Sequence, residues 1–183
     1  HGLANSVKLC EVQPRRTVKM GCMGVEFIKV NHSIPGAVGM AIHTPAGIIV
    51  HTGDFKVDYS PVDDDIIDLA RFGELGSRGV LALMADSTNA ERSGFTRSER
   101  TVGESFDKLF KQATGKRIII ATFSSNIHRI QQIVDNAQRS NRKVAVFGRS
   151  MVNVVNIALE MGYLKIPKGM LIDIDEMNRF PWQ

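Results

Sequence analysis

Apolar and polar residues follow two different patterns along this chain of 183 residues. In the first half, short β-branched or apolar runs cover residues 25–30, 38–43 and 48–50. Turn-forming residues separate these runs, Pro35-Gly36 after the first and Pro45-Ala46-Gly47 after the second. Short runs between turn residues are typical of strands joined by tight connections. The pattern therefore predicts an antiparallel meander of three strands.

The second half has a helical period. A helix is predicted over residues 66–72 and a buried strand over 80–85, and Thr101 with Glu104 matches a capping box at the start of a further helix. Strands over 117–123, 143–148 and 170–174 then alternate with helices over 125–139 and 151–161. This alternation predicts a parallel sheet with helical crossovers. The fold class is therefore α/β, with the change from meander to βαβ units near residues 90–103.

Composition narrows the class of protein. The chain is 43% hydrophobic and 23% charged, enough to bury a core in one or two domains. No run of eighteen apolar residues occurs, so we expect no membrane span. Cys10 and Cys22 lack CxxC spacing, which favours free thiols in a reducing intracellular compartment.

The net charge of +4 is weakly informative, but basic residues cluster in sequence. Arg92, Arg97 and Arg100 fall in one polar stretch that also contains Gly94. Such a stretch is consistent with a solvated surface loop. It is also consistent with contacts to a phosphate backbone, which would make nucleic-acid binding salt-dependent.

His32 and Asp54 are the first candidate site residues. In a three-strand meander, the ends of the first and third strands lie at the same edge of the sheet, so these two residues would come together. An imidazole and a carboxylate suit a hydrolytic zinc or manganese site. Taken singly, a His at a strand end or an Asp after Thr-Gly is more often an ordinary loop or turn residue.

Two polar turns follow predicted strands in the second half. Ser124, Ser125 and Asn126 precede a helix, and His128 and Arg129 lie within its first turn. Arg149 follows the next strand in the equivalent position. Helix N-termini at strand ends can bind phosphate groups, which makes these six residues candidates for contacts to the phosphates of a nucleic acid. Ser125 or Asn126 could instead only cap the helix.

Five segments together resemble the ribonuclease J family, in the β-CASP branch of the metallo-β-lactamase superfamily. They are VNHSIPGAVG (30–39), HTGDFK (51–56), MADSTNAERSGFTRSE (84–99), FSSNIHR (123–129) and GRSM (148–151). The resemblance implies part of a metallo-β-lactamase αββα sheet over residues 1–95 and part of a β-CASP domain over 96–183. It also implies a cytoplasmic enzyme that processes or degrades RNA by endonucleolytic or 5′-to-3′ exonucleolytic cleavage.

The resemblance also implies roles for three residues. His32 matches a metal-ligand motif, and Asp54 matches the carboxylate that bridges two zinc or manganese ions. Asp86 matches the acidic motif that opens the β-CASP region, so it would bind or orient the catalytic site. The resemblance also implies RNA as the substrate and partner. It further implies a homo-oligomer, with other RNA-decay proteins as partners.

The main metal-ligand motif of the family and its late motifs are missing from the sequence. No His-x-His-x-Asp-His motif occurs among the five histidines, so we expect an internal fragment that cannot complete a two-metal site and is inactive alone. Two alternatives remain open. One is a metallo-β-lactamase-type hydrolase of a small ester or thioester, and the other is a non-catalytic RNA-binding module.

Overall fold

The structure is a computed structural model that describes residues 5–62 and 66–180. The chain is divided into two compact units. Among the described residues, the first unit comprises 5–31, 36–57 and 66–94, and the second comprises 32–35, 58–62 and 95–180. The domain limits implied by the resemblance, 1–95 and 96–183, stay a prediction.

The first unit contains a sheet with the strand order β1-β2-β3-β4-β5. Strands β1 to β4 pair antiparallel, which confirms the predicted meander, whereas β5 pairs parallel to β4. Strand β1 was not predicted, although Thr17-Val18-Lys19-Met20 alternates polar and apolar residues, because an alternation of only four residues is a weak strand signal. The strands are β1 (Thr17–Met20), β2 (Met23–Lys29), β3 (Val38–Thr44), β4 (Gly47–His51) and β5 (Ala82–Met84).

Helix α1 (Leu69–Arg78) covers one face of this sheet. Its Leu75 is fully buried against Ile28, Ala41 and Val50, which project from three neighbouring strands. The helix begins three residues later than the predicted residue 66, because the Asp68 carboxylate accepts the Arg71 N–H and caps its first turn.

A charged cluster links α1 to the sheet. Arg71 donates from Nε and Nη2 to the two carboxylate oxygens of buried Glu26, at 2.7 and 2.9 Å. These hydrogen bonds lower the pKa of Glu26, although burial acts in the opposite direction. The pKa of Asp68 is also lowered, chiefly by hydrogen bonding to Arg15. Both carboxylates are therefore held in the ionised form.

Strand β5 differs from its prediction as a buried strand. Its three residues are exposed, and the Leu83 side chain is 65% accessible. Among the described residues β5 pairs only with β4, so it forms an edge of the sheet. An apolar sequence alone cannot distinguish such an edge strand from a central one.

The second unit is mainly helical and contains a two-stranded parallel sheet. Helix α4 connects the two parallel strands, as the predicted βαβ pattern requires. Val134 of α3 and Val155 of α4 are fully buried in its core. The elements are α2 (Arg100–Gln112), α3 (Ile127–Arg139), β6 (Val144–Ala145), α4 (Arg149–Glu160), β7 (Leu171–Ile172) and a 3-10 helix (Ile174–Arg179).

Two predictions for the second unit were wrong. Residues 117–123 form no strand, although Ile118 and Ile120 pack into the core while Ile119 is 95% exposed. The alternation is that of an extended chain, but a strand also needs a hydrogen-bonded neighbour, and the described part of the chain provides none. The predicted capping box is also absent, because α2 begins at Arg100 and Thr101 lies inside its first turn.

None of the helices in the described ranges is long and apolar enough to cross a membrane.

Candidate active site

The parallel pairing of β4 with β5 brings two acidic turns to the same edge of the sheet. His51 pairs with Met84 at the last position of both strands, and the Thr52 N–H donates to the Met84 carbonyl at 3.0 Å. The turns that follow line an open cavity of about 470 Å³. Its lining residues are His51, Gly53, Asp54, Met84, Ala85, Asp86, Ser87 and Thr88. Asp54 and Asp86, both predicted site residues, therefore lie at one cavity.

The Asp86 turn is ordered by hydrogen bonds at both ends. Its backbone N–H donates to the Thr52 hydroxyl at 3.0 Å. Its carboxylate Oδ1 accepts from the Thr88 N–H at 3.0 Å and from the Thr88 hydroxyl at 2.6 Å. This is the Asx-turn geometry that fixes an aspartate side chain against its own loop. The carboxylate therefore has a defined position at the cavity.

The Asp54 turn depends on a glycine in a left-handed conformation. Gly53 has φ +62°, and a Cβ there would lie 2.7 Å from the Val38 carbonyl oxygen. Its N–H donates to His51 Nδ1 at 3.0 Å. A ring nitrogen that accepts carries no proton, so neutral His51 has its proton on Nε2. Asp54, the next residue, is exposed at the cavity.

His32 is half-buried and belongs to the short segment His32–Pro35, which groups with the second unit. The backbone nearby agrees with the meander argument, since the Lys56 N–H donates to the Asn31 carbonyl at 2.9 Å. The chain just after β2 and the chain beyond β4 therefore meet. A shared site for His32 and Asp54 stays a prediction.

The two predicted phosphate-binding turns of the second unit are neighbours. The hydroxyl oxygens of Ser124 and Ser150 are 2.9 Å apart, which joins the chain before α3 to the first turn of α4. Arg149 is exposed at the first position of α4, and Ser125 is half-buried in the other turn. These residues remain candidates for RNA contact.

The other three candidates at this location already have structural roles or partners. Asn126 is buried and caps α3, its Oδ1 accepting the Arg129 N–H at 3.0 Å. The Arg129 guanidinium forms an ion pair with Glu99. His128 is half-buried in the first turn of α3. The simpler alternative raised for Asn126, a helix cap, is confirmed, and an RNA contact by these three residues stays a prediction.

Comparison with known proteins identifies the family. A model of "Ribonuclease J, beta-CASP domain" matches residues 115–183. Ribonuclease J of Synechocystis is 43% identical over the whole chain, and Ribonuclease J 1 of Streptococcus pyogenes is 47% identical over 97% of it. The protein of this name from Thermus thermophilus is 43% identical over 94% of the chain. The chain belongs to the ribonuclease J family.

The ribonuclease J relatives are much longer than this chain. The 183 residues span 28% of the Synechocystis protein and 31% of the Streptococcus protein. A crystal structure of a protein of unknown function from Enterococcus faecalis matches 95% of the chain with a TM-score of 0.68. Its sequence identity is 16%, so it supports the fold alone.

The cavity has two carboxylate groups on its wall, and carboxylate oxygens are ligands that zinc and manganese bind. The carboxylates belong to Asp54 and Asp86, whereas the His51 imidazole accepts the Gly53 N–H at Nδ1 and carries its proton on Nε2, so it orients the turn and offers no donor atom to a metal ion. Within residues 5–62 and 66–180, however, no group of three or more His, Cys, Asp or Glu side chains is arranged to hold a metal ion. Asp54 and Asp86 therefore fit as part of a metal centre, and further ligands would have to complete it.

Ser87 and Thr88 were missed as site residues. The sequence predicted a meander but not that β5 pairs parallel to β4, and this pairing is what brings both turns to one cavity. One signal was present, because each of the two strands ends in a short polar motif with an aspartate, Thr-Gly-Asp and Ala-Asp-Ser. In parallel strands such motifs share an edge.

Proposed function

We propose that this chain is part of a metal-dependent ribonuclease that hydrolyses phosphodiester bonds of RNA. The single observation that supports this most is the cavity where the Asp54 and Asp86 turns converge, in a chain of the ribonuclease J family. His32 would be a further ligand, and the remaining ligands would come from sequence outside these 183 residues. By this proposal the chain alone is inactive.

Two zinc or manganese ions would activate a water molecule and stabilise charge on the phosphoryl oxygens when bound. The chain's own residues supply positions for them. The Asp54 carboxylate, which follows the end of β4, would hold the ions, and Asp86, which follows the end of β5, would support the site by binding or orienting. His51 would orient the Asp54 turn through the Gly53 N–H.

The polar turns of the second unit would hold the RNA strand. Exposed Arg149 and the linked hydroxyls of Ser124 and Ser150 are suited to phosphate contacts at the start of α4. Ser125, Asn126, His128 and Arg129 would support or extend that contact. We further propose a cytoplasmic homo-oligomer that cleaves RNA internally or from the 5′ end, with other RNA-decay proteins as partners.

The test uses the full-length protein that contains these residues. Wild type should bind about two equivalents of zinc or manganese and cleave RNA. Asp54→Ala should lower the cleavage rate at least about 100-fold, more than loss of an outer-shell partner causes. Asp107→Ala is the matched control, because it removes an exposed carboxylate of α2 whose partner is Arg139.

Each other outcome has a defined meaning. Wild-type cleavage by Asp54→Ala would contradict the site assignment. RNA binding without cleavage by the full-length wild type would favour the non-catalytic module. Hydrolysis of small esters or thioesters without RNA cleavage would favour the small-substrate hydrolase.

A further inference from the structure

We propose that Thr52 is a positioning residue that holds both acidic turns of the cavity in register. The inference rests on the proposed function, because the purpose of the positioning is to hold the Asp54 and Asp86 carboxylates for metal ions. Thr52 does not line the cavity itself. It would therefore act through the two aspartates and not on substrate.

The contacts of Thr52 join the two turns directly. Thr52 directly follows the last residue of β4 and is 7% exposed. Its hydroxyl accepts the Asp86 N–H at 3.0 Å and donates to the Gly53 carbonyl at 2.8 Å. One hydroxyl thus contacts Gly53, the residue before Asp54, and the backbone of Asp86. These two residues lie in the turns that follow β4 and β5.

The backbone of Thr52 also has contacts on both sides, with β5 and with β3. Its N–H donates to the Met84 carbonyl, which completes the parallel ladder between β4 and β5. On the other side, β3 packs so closely that a Cβ on Gly39 would lie 2.9 Å from the Thr52 carbonyl oxygen. Metal ligands need positions accurate to about 0.5 Å. A residue fixed on both sides can provide that accuracy for its neighbours.

Thr52→Val tests the hydroxyl, because valine keeps nearly the same shape and removes the hydrogen bonds. The Asp86 N–H and the Gly53 carbonyl then lose this partner, and the two turns are free to shift. In the full-length protein we expect the affinity for Mn²⁺ to fall about 10- to 100-fold, as with other outer-shell partners of metal sites. The value of kcat should fall with it, while KM for RNA stays within about twofold of wild type. Thr52→Ser, which keeps the hydroxyl, should restore most of both.

Thr44→Val is the matched control for a general loss of stability. Thr44 also uses its hydroxyl twice, donating to the Gly47 carbonyl at 2.9 Å and accepting the Ala46 N–H at 3.2 Å. It is the last residue of β3 and pairs with Gly47, the first residue of β4, at the end of β4 away from the cavity. Its valine variant should lose stability but keep wild-type Mn²⁺ affinity and kcat.

The outcomes separate this inference from the proposed function. If wild type binds neither Mn²⁺ nor Zn²⁺, the proposed function fails and the inference fails with it. If wild type binds metal, and Thr52→Val stays within twofold in affinity and kcat, only the inference is overturned. Equal losses in Thr44→Val would also overturn it. Should Thr52→Val not fold, Thr52→Cys, with a similar shape and a weak donor, should give an intermediate loss of affinity, and wild-type affinity there would count against the proposal.

Discussion

The Asp54 turn shows how single glycines determine the shape of the cavity. Gly53 combines a positive φ with a close approach to the Val38 carbonyl, and either feature alone would favour glycine. Gly21, in the hairpin between β1 and β2, has almost the same φ of +61° but no atom within 4 Å of a Cβ. Comparing alanine variants of Gly53 and Gly21 therefore separates the energetic cost of the left-handed conformation from the cost of the contact with the Val38 carbonyl.

Gly53→Ala should be clearly more destabilising than Gly21→Ala. We expect Gly21→Ala to cost about 1–2 kcal/mol, the strain of an alanine in the left-handed region. Gly53→Ala should cost about 3 kcal/mol or more, because the added methyl also overlaps the Val38 carbonyl oxygen. Denaturant unfolding of both variants measures the difference in the free energy of unfolding. Equal costs would mean that β3 can move away from the turn.

At the scale of elements, the sequence predicted those whose signals are local. The three meander strands and α3 lie close to their predicted ranges, because apolar runs between turn residues and a capping asparagine are properties of neighbouring residues. The prediction of a strand over residues 117–123 was wrong because a strand also depends on a partner elsewhere in the chain. Helix α1 was predicted, but the ion pair that fixes it to the sheet was not, because Glu26 and Arg71 are far apart in sequence.

The packing of α1 on the sheet should depend on pH through Glu26. The folded pKa of this carboxyl lies below its ordinary value of 4.5, so its contribution is present above that pH and is lost as the pH falls through the folded pKa. Glu26→Gln should cost about 3 kcal/mol near neutral pH, since it breaks a buried ion pair. It should also flatten the decline of stability in acid, as measured by unfolding from neutral to acidic pH.

Glu74→Gln is the control for this prediction. Glu74 also contacts Arg71, but its side chain is 51% exposed, so its loss should cost less than about 1 kcal/mol. If Glu26→Gln and wild type lost stability in parallel on acidification, the acid sensitivity would come from other carboxylates, of which Asp68 is the first candidate.

At the scale of the whole molecule, the family was predictable from sequence because short motifs keep their order and spacing. The cavity was only partly predictable. Asp54 and Asp86 were identified by motif, whereas His51 and Thr52 depend on the pairing of β4 with β5, two strands that are far apart in sequence. The RNA-binding candidates fall into two groups. Asn126 and Arg129 have partners within the chain, whereas Arg149 is exposed.

This division predicts how the full-length protein should respond to salt. The logarithm of the RNA association constant should fall linearly with the logarithm of salt concentration, as expected when phosphates release counterions. Arg149→Ala should reduce that slope by about 0.7, the value for one phosphate contact on a single strand. Arg129→Ala should change the slope less, because the ion pair with Glu99 already neutralises this guanidinium.

Arg78→Ala, at the exposed end of α1, is the control for a general loss of positive charge. An unchanged slope in Arg149→Ala would remove this residue from the interface, and a flat response in wild type would argue against a nucleic-acid substrate altogether.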